Sequence, residues 1–206
     1  METSTSNQVI DLVKMISLTV LGGILAWVSV WLKMKIDNRK EDKEKKYSLY
    51  RNIATTLYNI NRYAQNQEKS KLLFSYHQKL YNLIDKDPEE KSIQKTQAEY
   101  HQQTQAKLHY ILLDQLYELD KLVFDFRNFH GKDEKFELMY ETIFTMQNPP
   151  VERFIGLTDI KKIEQKKEDA WSEIKNRRNA MKQENISAIV THIESSLEID
   201  KTEKTN

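Results

Sequence analysis

The stretch MISLTVLGGILAWVSVWLKMK, from Met15 to Lys35, decides the architecture that the sequence predicts. Its first 18 residues, Met15 to Leu32, contain no charged side chain. As a helix rising ~1.5 Å per residue they would be roughly 27 Å long, close to the ~30 Å hydrocarbon core of a bilayer. A cleaved signal peptide would need a basic N-terminal region and a small-residue cleavage site. A buried core helix would need a less polar domain around it. The sequence therefore predicts a retained transmembrane helix, which we place at residues 9–34.

Flanking charges predict how this helix is oriented. Residues 33–46 read KMKIDNRKEDKEKK and contain seven Lys and Arg residues, whereas only Lys14 precedes the apolar stretch. The positive-inside rule therefore places the C-terminal side in the cytoplasm and residues 1–8 outside as a short extracytoplasmic N-terminus. We expect a single-pass protein of a bacterial inner membrane, with the lipid bilayer as its first partner. Residues 35–46 read as a charged helical stalk, although a flexible linker is the alternative.

Small side chains form one face of the predicted transmembrane helix. Gly22 and Ala26 make a small-x-x-x-small pattern, which permits two helices to approach closely. The predicted self-association face consists of Thr19, Gly22, Ala26 and Ser29. The alternative is that small residues are simply common in membrane helices.

The rest of the chain predicts an all-α fold. No segment shows the period-two alternation of a strand, and the whole chain has only four Gly and three Pro. We expect residues 47–198 to form a cytoplasmic antiparallel helical bundle of three long helices plus a short one, followed by a disordered tail at 199–206. Asp87 with Pro88, Asp133, and Thr158 or Asp159 are the predicted helix starts.

Apolar periodicity predicts which faces are buried. A heptad seam, typical of coiled coils, runs along the first cytoplasmic helix, fades through QNQEKSK (65–71) and then resumes. That polar segment is either part of one helix or a short break between two. The seam residues are Tyr50, Ile53, Leu57, Ile60, Ala64, Leu73, Tyr76, Leu80 and Leu83 or Ile84. The last helix should bury Ile160, Ile163, Ala170 or Trp171, Ile174, Met181, Ile189, Ile193 and Leu197.

The helix that begins at Pro88 has two contrasting halves. Its second half carries a core-facing set from Leu108 to Phe126, whereas residues 92–107 are almost wholly polar. We expect this first half to project into solvent or to meet a partner. Ile93 and Tyr100, seven residues apart, give it one narrow apolar stripe. They are the predicted partner surface, for another protein or for a second copy of the chain.

No motif predicts catalysis, a cofactor or a metal. There is no cysteine, no histidine at metal-ligand or triad spacing, and no Gly-rich phosphate loop. The carboxylates between Asp114 and Asp125 read as a solvated helix face, and so do the basic residues between Lys161 and Lys182. Arg127 and His130 could meet a phosphate from one helix face, but bases at a helix C-terminus are more simply explained by the helix dipole. We therefore predict no catalytic, cofactor-binding or metal-binding residues, and we expect no nucleic-acid partner.

These observations predict a membrane-anchored interaction or scaffold module that acts by protein–protein binding at the cytoplasmic face, and not an enzyme. The first alternative is a membrane effector or sensor of a small toxin or defence system, which relays a cytoplasmic signal through the transmembrane helix. The second alternative is an anchored nucleic-acid-binding protein or nuclease.

Overall fold

The computed structural model describes the backbone of residues 3–145 and 154–197, and the side chains of residues 23–141 and 154–197. Throughout these residues the regular structure is helical, without a strand, so the predicted all-α class is confirmed. The elements, in chain order, are α1 (Thr3–Leu83), α2 (Pro88–His130), α3 (Glu134–Thr145), α4 (Ile160–Ala180), a π-helical segment (Met181–Ile186) and α5 (Ser187–Ser196). Because α4, the π-helical segment and α5 succeed one another without a gap, they form the third long helical stretch.

The chain divides into two compact units, Met1–Tyr47 and Ser48–Asn206. In the first unit, residues 35–46 are helical, and Lys45 and Glu41 form an ion pair of 2.6 Å one helical turn apart. Within the part of the chain whose side chains are described, no helix is long and apolar enough to cross a bilayer. Positions 9–22 of the predicted span lie outside that part, as do residues 1–8 and the predicted tail at 199–206.

In the second unit, α1 and α4 run antiparallel. Residues earlier in α1 contact residues later in the last helical stretch. The Lys167 amine lies over the Tyr76 ring at 4.7 Å, and the Lys182 amine lies over the Tyr58 ring at 5.6 Å. Helix α2 also runs back along α1, since the Lys91 amine lies 5.2 Å from the Tyr81 ring and the Gln94 side-chain oxygen lies 2.7 Å from the His77 ring. The helical bundle predicted from the short connections is confirmed in this unit.

Two apolar clusters form the core of the bundle. The larger cluster joins α1, α2, α3, the π-helical segment and α5, and its fully buried members include Ile53, Leu119, Phe126 and Phe136. The smaller cluster joins α1 to α4 and to the residues before α4. Its buried members are Leu72, Tyr76, Leu80, Phe154, Ile163, Ala170 and Ile174. Along the predicted seam, Tyr50 and Leu73 are only half-buried, whereas their neighbours Leu49 and Leu72 are buried. The expectation that Ile160 lies in the core is wrong, because Ile160 is exposed.

The polar segment 65–71 does not break the helix, because α1 continues through it to Leu83. Gln67, Glu68 and Ser70 are themselves buried. They lie in sequence between Ile60 of the larger cluster and Leu72 of the smaller one. The apolar seam fades here because a buried polar layer separates the two clusters.

The aspartates that were predicted to begin helices do cap the helix N-termini. The Asp87 carboxylate accepts hydrogen bonds from the Glu89 and Glu90 amides at 3.1 and 3.0 Å. Asp133 accepts from the Phe136 amide at 3.0 Å, and Asp159, one of the two expected residues, accepts from the Lys161 amide at 2.9 Å. Each carboxylate satisfies amides that have no partner within their own helix.

Candidate interaction surface

Helix α2 presents a row of exposed apolar side chains that sequence periodicity had not singled out. Tyr110, Leu113, Tyr117 and Phe124 are between 48 and 69% exposed. Their spacings of three, four and seven residues place them on one helical face. We call these four residues the outer stripe.

The outer stripe lies opposite the face by which α2 enters the core. Leu119, Val123 and Phe126 are almost completely buried in the larger cluster. Tyr117 and Phe124 lie two and five residues from Leu119, which at 3.6 residues per turn places both on the far side of the helix. The second half of α2 is therefore apolar on two opposite faces, and the bundle covers one of them. Surface helices are ordinarily polar on the face that the core does not cover.

Acidic residues border the outer stripe. Along one edge, Asp114, Glu118 and Asp125 are exposed, with Lys121 among them. The Lys121 amine is 3.8 Å from the Glu118 carboxylate and lies over the Tyr117 ring at 4.6 Å. Three acids and one base leave this edge with a net charge of −2. The exposure of these carboxylates agrees with the solvated face that the sequence predicts.

Asp120 occupies the position within the heptad between Tyr117 and Phe124 where an apolar residue would extend the stripe. It is exposed, and one of its carboxylate oxygens accepts a hydrogen bond of 2.5 Å from the Tyr140 hydroxyl of α3. Burial of Tyr140, together with this hydrogen bond and the Asp120 charge, raises the pKa of the Tyr140 hydroxyl. The hydroxyl therefore remains protonated at neutral pH and fixes the position of the carboxylate.

The predicted partner surface, Ile93 and Tyr100, is also exposed on α2. Ten residues separate Tyr100 from Tyr110, so the two surfaces are roughly a quarter of a turn apart around the helix. The first half of α2 was expected to project into solvent or to meet a partner; most of its residues are exposed, but one of its faces packs within the bundle. Gln94 and Ala98 are buried, and the Gln94 side-chain oxygen lies 2.7 Å from the His77 ring nitrogen on α1.

The predicted transmembrane self-association face is described only in part. Ala26 and Ser29 are exposed, and the Ser29 hydroxyl donates to the Leu25 carbonyl at 2.8 Å. For Thr19 and Gly22 the structure describes the helical backbone alone.

A buried ion-pair cluster connects α1 and α4. The Glu68 carboxylate accepts hydrogen bonds from the guanidinium groups of Arg177, at 2.6 Å, and Arg178. Arg178 is buried, so the prediction that the basic residues between Lys161 and Lys182 form only an outer face is wrong for this residue. The sequence held one signal of this buried pair, which is the run of polar residues at core-facing positions of α1. Buried polar groups require partners, so this run indicated that a polar residue of another helix would be buried against it.

The pair Arg127 and His130 is held by neighbouring acids. Both oxygens of Glu137 accept hydrogen bonds of 2.6 Å from the Arg127 guanidinium, which raises the pKa of Arg127 and lowers that of Glu137. The His130 ring lies 3.7 Å from Asp133, which also lies 2.7 Å from the His192 ring. Arg127 thus serves as a connection between α2 and α3. Among the described residues, no group of three His, Asp or Glu side chains is placed to hold a metal ion.

No protein-family model matches this chain, and comparisons with curated proteins and with solved structures find no similar protein. The candidate surface is therefore defined by the chain's own geometry and charge.

Proposed function

We propose that this chain is a membrane-anchored interaction module, which binds a protein partner through the outer stripe of α2. The observation that carries the proposal is the pair of opposite apolar faces on one helix. Burial of an aromatic side chain contributes ~1.5–3 kcal/mol, so three exposed aromatic residues and a leucine in one row offer a substantial gain to a docking helix. Isolated exposed apolar residues need no such explanation, but a row at heptad spacing does.

The membrane anchor in this proposal rests on the sequence. Met15 to Leu32 is uncharged and long enough to span a bilayer, and the Lys and Arg residues at 33–46 favour a cytoplasmic location for the bundle. A module tethered in this way would meet its partner at the inner face of the membrane. The self-association face of Thr19, Gly22, Ala26 and Ser29 would allow the anchor to pair as well.

The test is site-specific crosslinking in membranes. A photoreactive residue replaces Tyr117 in the full chain, and matched variants carry it at Tyr100 or at Glu164 on the exposed face of α4. We expect Tyr117 to give a discrete protein adduct, identified by mass spectrometry, that disappears when Phe124→Asp is added. Capture of lipid alone, or equal adducts at Tyr117 and Glu164, would contradict the proposal.

A second candidate is the membrane effector or sensor. It is favoured by the π-helical segment that lies directly after the buried ion-pair cluster, because single-turn π segments are often found at functional sites. Such a protein would change packing around Glu68 when it receives a cytoplasmic signal. Amide hydrogen exchange of this protein, compared between cells with and without the signal, would separate the two candidates. Only the effector requires a change in the protection of the amides of residues 177–186.

A further inference from the structure

We propose that the partner of the outer stripe is an amphipathic helix whose apolar row is bordered by Lys and Arg. This inference rests on the proposed function, and it names the chemistry of the partner. The acidic edge formed by Asp114, Glu118 and Asp125 carries a net charge of −2 even with Lys121 included. A helix that docks on the stripe brings its own flanking residues beside that edge, where bases are attracted and acids are repelled.

Asp120 adds a second requirement. It interrupts the stripe on the side away from the acidic edge, and the Tyr140 hydroxyl holds its carboxylate at 2.5 Å. An ionised carboxylate can accept more than one hydrogen bond, so a Lys or Arg of the partner can bind it as well. An apolar residue at that place would instead cover a charge without pairing it, which is costly. The partner therefore needs one cation within its apolar row.

A second copy of the chain fits this surface poorly. If two α2 helices pair antiparallel through the outer stripe, the acidic edge of one lies against the acidic edge of the other. If they pair parallel, Asp120 lies beside its own counterpart. In the antiparallel pair Lys121 offsets part of the repulsion, but each edge keeps a net charge of −2, and in the parallel pair the two Asp120 carboxylates repel each other. Both arrangements therefore favour a different partner.

The length of the stripe sets the size of the partner. Tyr110 and Phe124 are 14 residues apart, which corresponds to about 21 Å along the helix axis. A partner helix of about four turns, with apolar residues at three- and four-residue spacings, would cover it.

The test uses two synthetic helical peptides that differ only in charge. Both carry the same apolar row and the same single Lys within it, and their flanking positions are all Lys in one and all Glu in the other. Fluorescence anisotropy measures their binding to the full chain in nanodiscs of zwitterionic lipid, with empty nanodiscs as the blank. We expect the Lys peptide to bind about tenfold more tightly at low salt, with a smaller preference at high salt.

Matched variants test the origin of that preference. Asp114→Lys, Glu118→Lys and Asp125→Lys together should reverse it. Glu164→Lys, Glu168→Lys and Asp169→Lys on the exposed face of α4 change the net charge equally and should leave it intact. Each variant's helical content and unfolding midpoint establish that it is folded.

Three outcomes would overturn the inference, and they separate it from the proposed function. Equal binding of the two peptides would reject a basic partner while leaving binding at the outer stripe intact. Failure of both peptides together with a dimer that Phe124→Asp abolishes would identify the occupant as a second copy. Failure of both peptides without a dimer would reject the basic helix, and the crosslinking result at Tyr117 would then decide separately whether the stripe binds protein.

Discussion

Glu68 of α1 and Arg178 of α4 form an ion pair in the interior of the bundle, where their side chains are 5% and 8% exposed. Arg177 joins the same carboxylate at 2.6 Å, and its side chain is 32% exposed. A nearby hydrogen bond of 3.1 Å runs from the Asn61 side-chain amide to the Arg178 carbonyl. The pair fixes which turn of α1 faces which turn of α4, because a shift of either helix would leave a buried charge without a partner.

Removing one member of this pair should destabilise the bundle strongly. Glu68→Ala leaves the buried Arg178 guanidinium unpaired, and we expect a loss of about 3–5 kcal/mol in the free energy of unfolding. Urea denaturation followed by circular dichroism measures the change. The double variant Glu68→Leu with Arg178→Leu should recover much of the loss, since it removes both charges. A single variant as stable as the double variant would show that the buried pair is not what aligns the helices.

The two faces of α2 should respond differently to the same substitution. Leu119 is completely buried, whereas Leu113 in the outer stripe is 48% exposed. Leu119→Asp places an unpaired charge in the core and should unfold a domain whose stability is ~5–15 kcal/mol, as circular dichroism would show. Leu113→Asp should leave the fold intact and weaken crosslinking at Tyr117. If Leu113→Asp also unfolds the chain, the stripe is part of the core and not a docking surface.

Periodicity predicted the helices and most of the core. The seam at Ile53, Leu57 and Ile60 is buried as expected, because apolar residues three and four apart must share a helical face. Periodicity could not predict the polar layer, since Glu68 is buried against Arg178, which lies 110 residues later in the sequence. Long-range pairing of this kind leaves no periodic signal in either helix.

The last helical stretch shows a second limit of periodicity. Met181 and Ile186 are both buried although five residues separate them, a spacing that an ideal α-helix would place on different faces. The π-helical segment adds a residue to the turn, and the Ser187 amide and hydroxyl both donate to the Lys182 carbonyl five residues earlier. Ile186 was therefore missing from the predicted core, whereas Ile189 and Ile193 were placed correctly.

The sequence did not predict the outer stripe, and the surface that it did predict, Ile93 and Tyr100, stays a prediction. Ile93 and Tyr100 were recognised because their surroundings are polar, and both are exposed. Tyr110 and Tyr117 were missed because they lie within a helix half that is rich in apolar residues on every side. Separating its inner face from its outer face required the positions of α1 and α3.

Stability should depend on pH through His101. Burial, with the nearby charges of His77 and Lys69, lowers the pKa of His101 below its ordinary value of about 6.5. The unfolded chain therefore binds more protons than the folded chain between the lowered pKa and about 6.5, so stability falls as pH falls through that window. His101→Phe, which keeps a ring stacked on His77, should flatten the dependence of the urea midpoint on pH. If the urea midpoint of the variant depends on pH as steeply as that of the unmodified chain, groups other than His101 cause the dependence.

Membrane topology provides the sharpest test of the proposed anchor. A reporter that is active only in the cytoplasm, fused after Asn206, should be active, because the positive-inside rule predicts that the seven Lys and Arg residues at 33–46 keep the C-terminal side of the proposed span in the cytoplasm. Replacing those seven residues with Gln should produce mixed orientations, seen as activity of a reporter that requires export. The matched control replaces the seven Lys residues from Lys132 to Lys175, which lie too far from the span to affect its orientation. Recovery of the unmodified chain in the soluble fraction of broken cells would contradict the anchor itself, and with it the assignment of the partner to the inner face of the membrane.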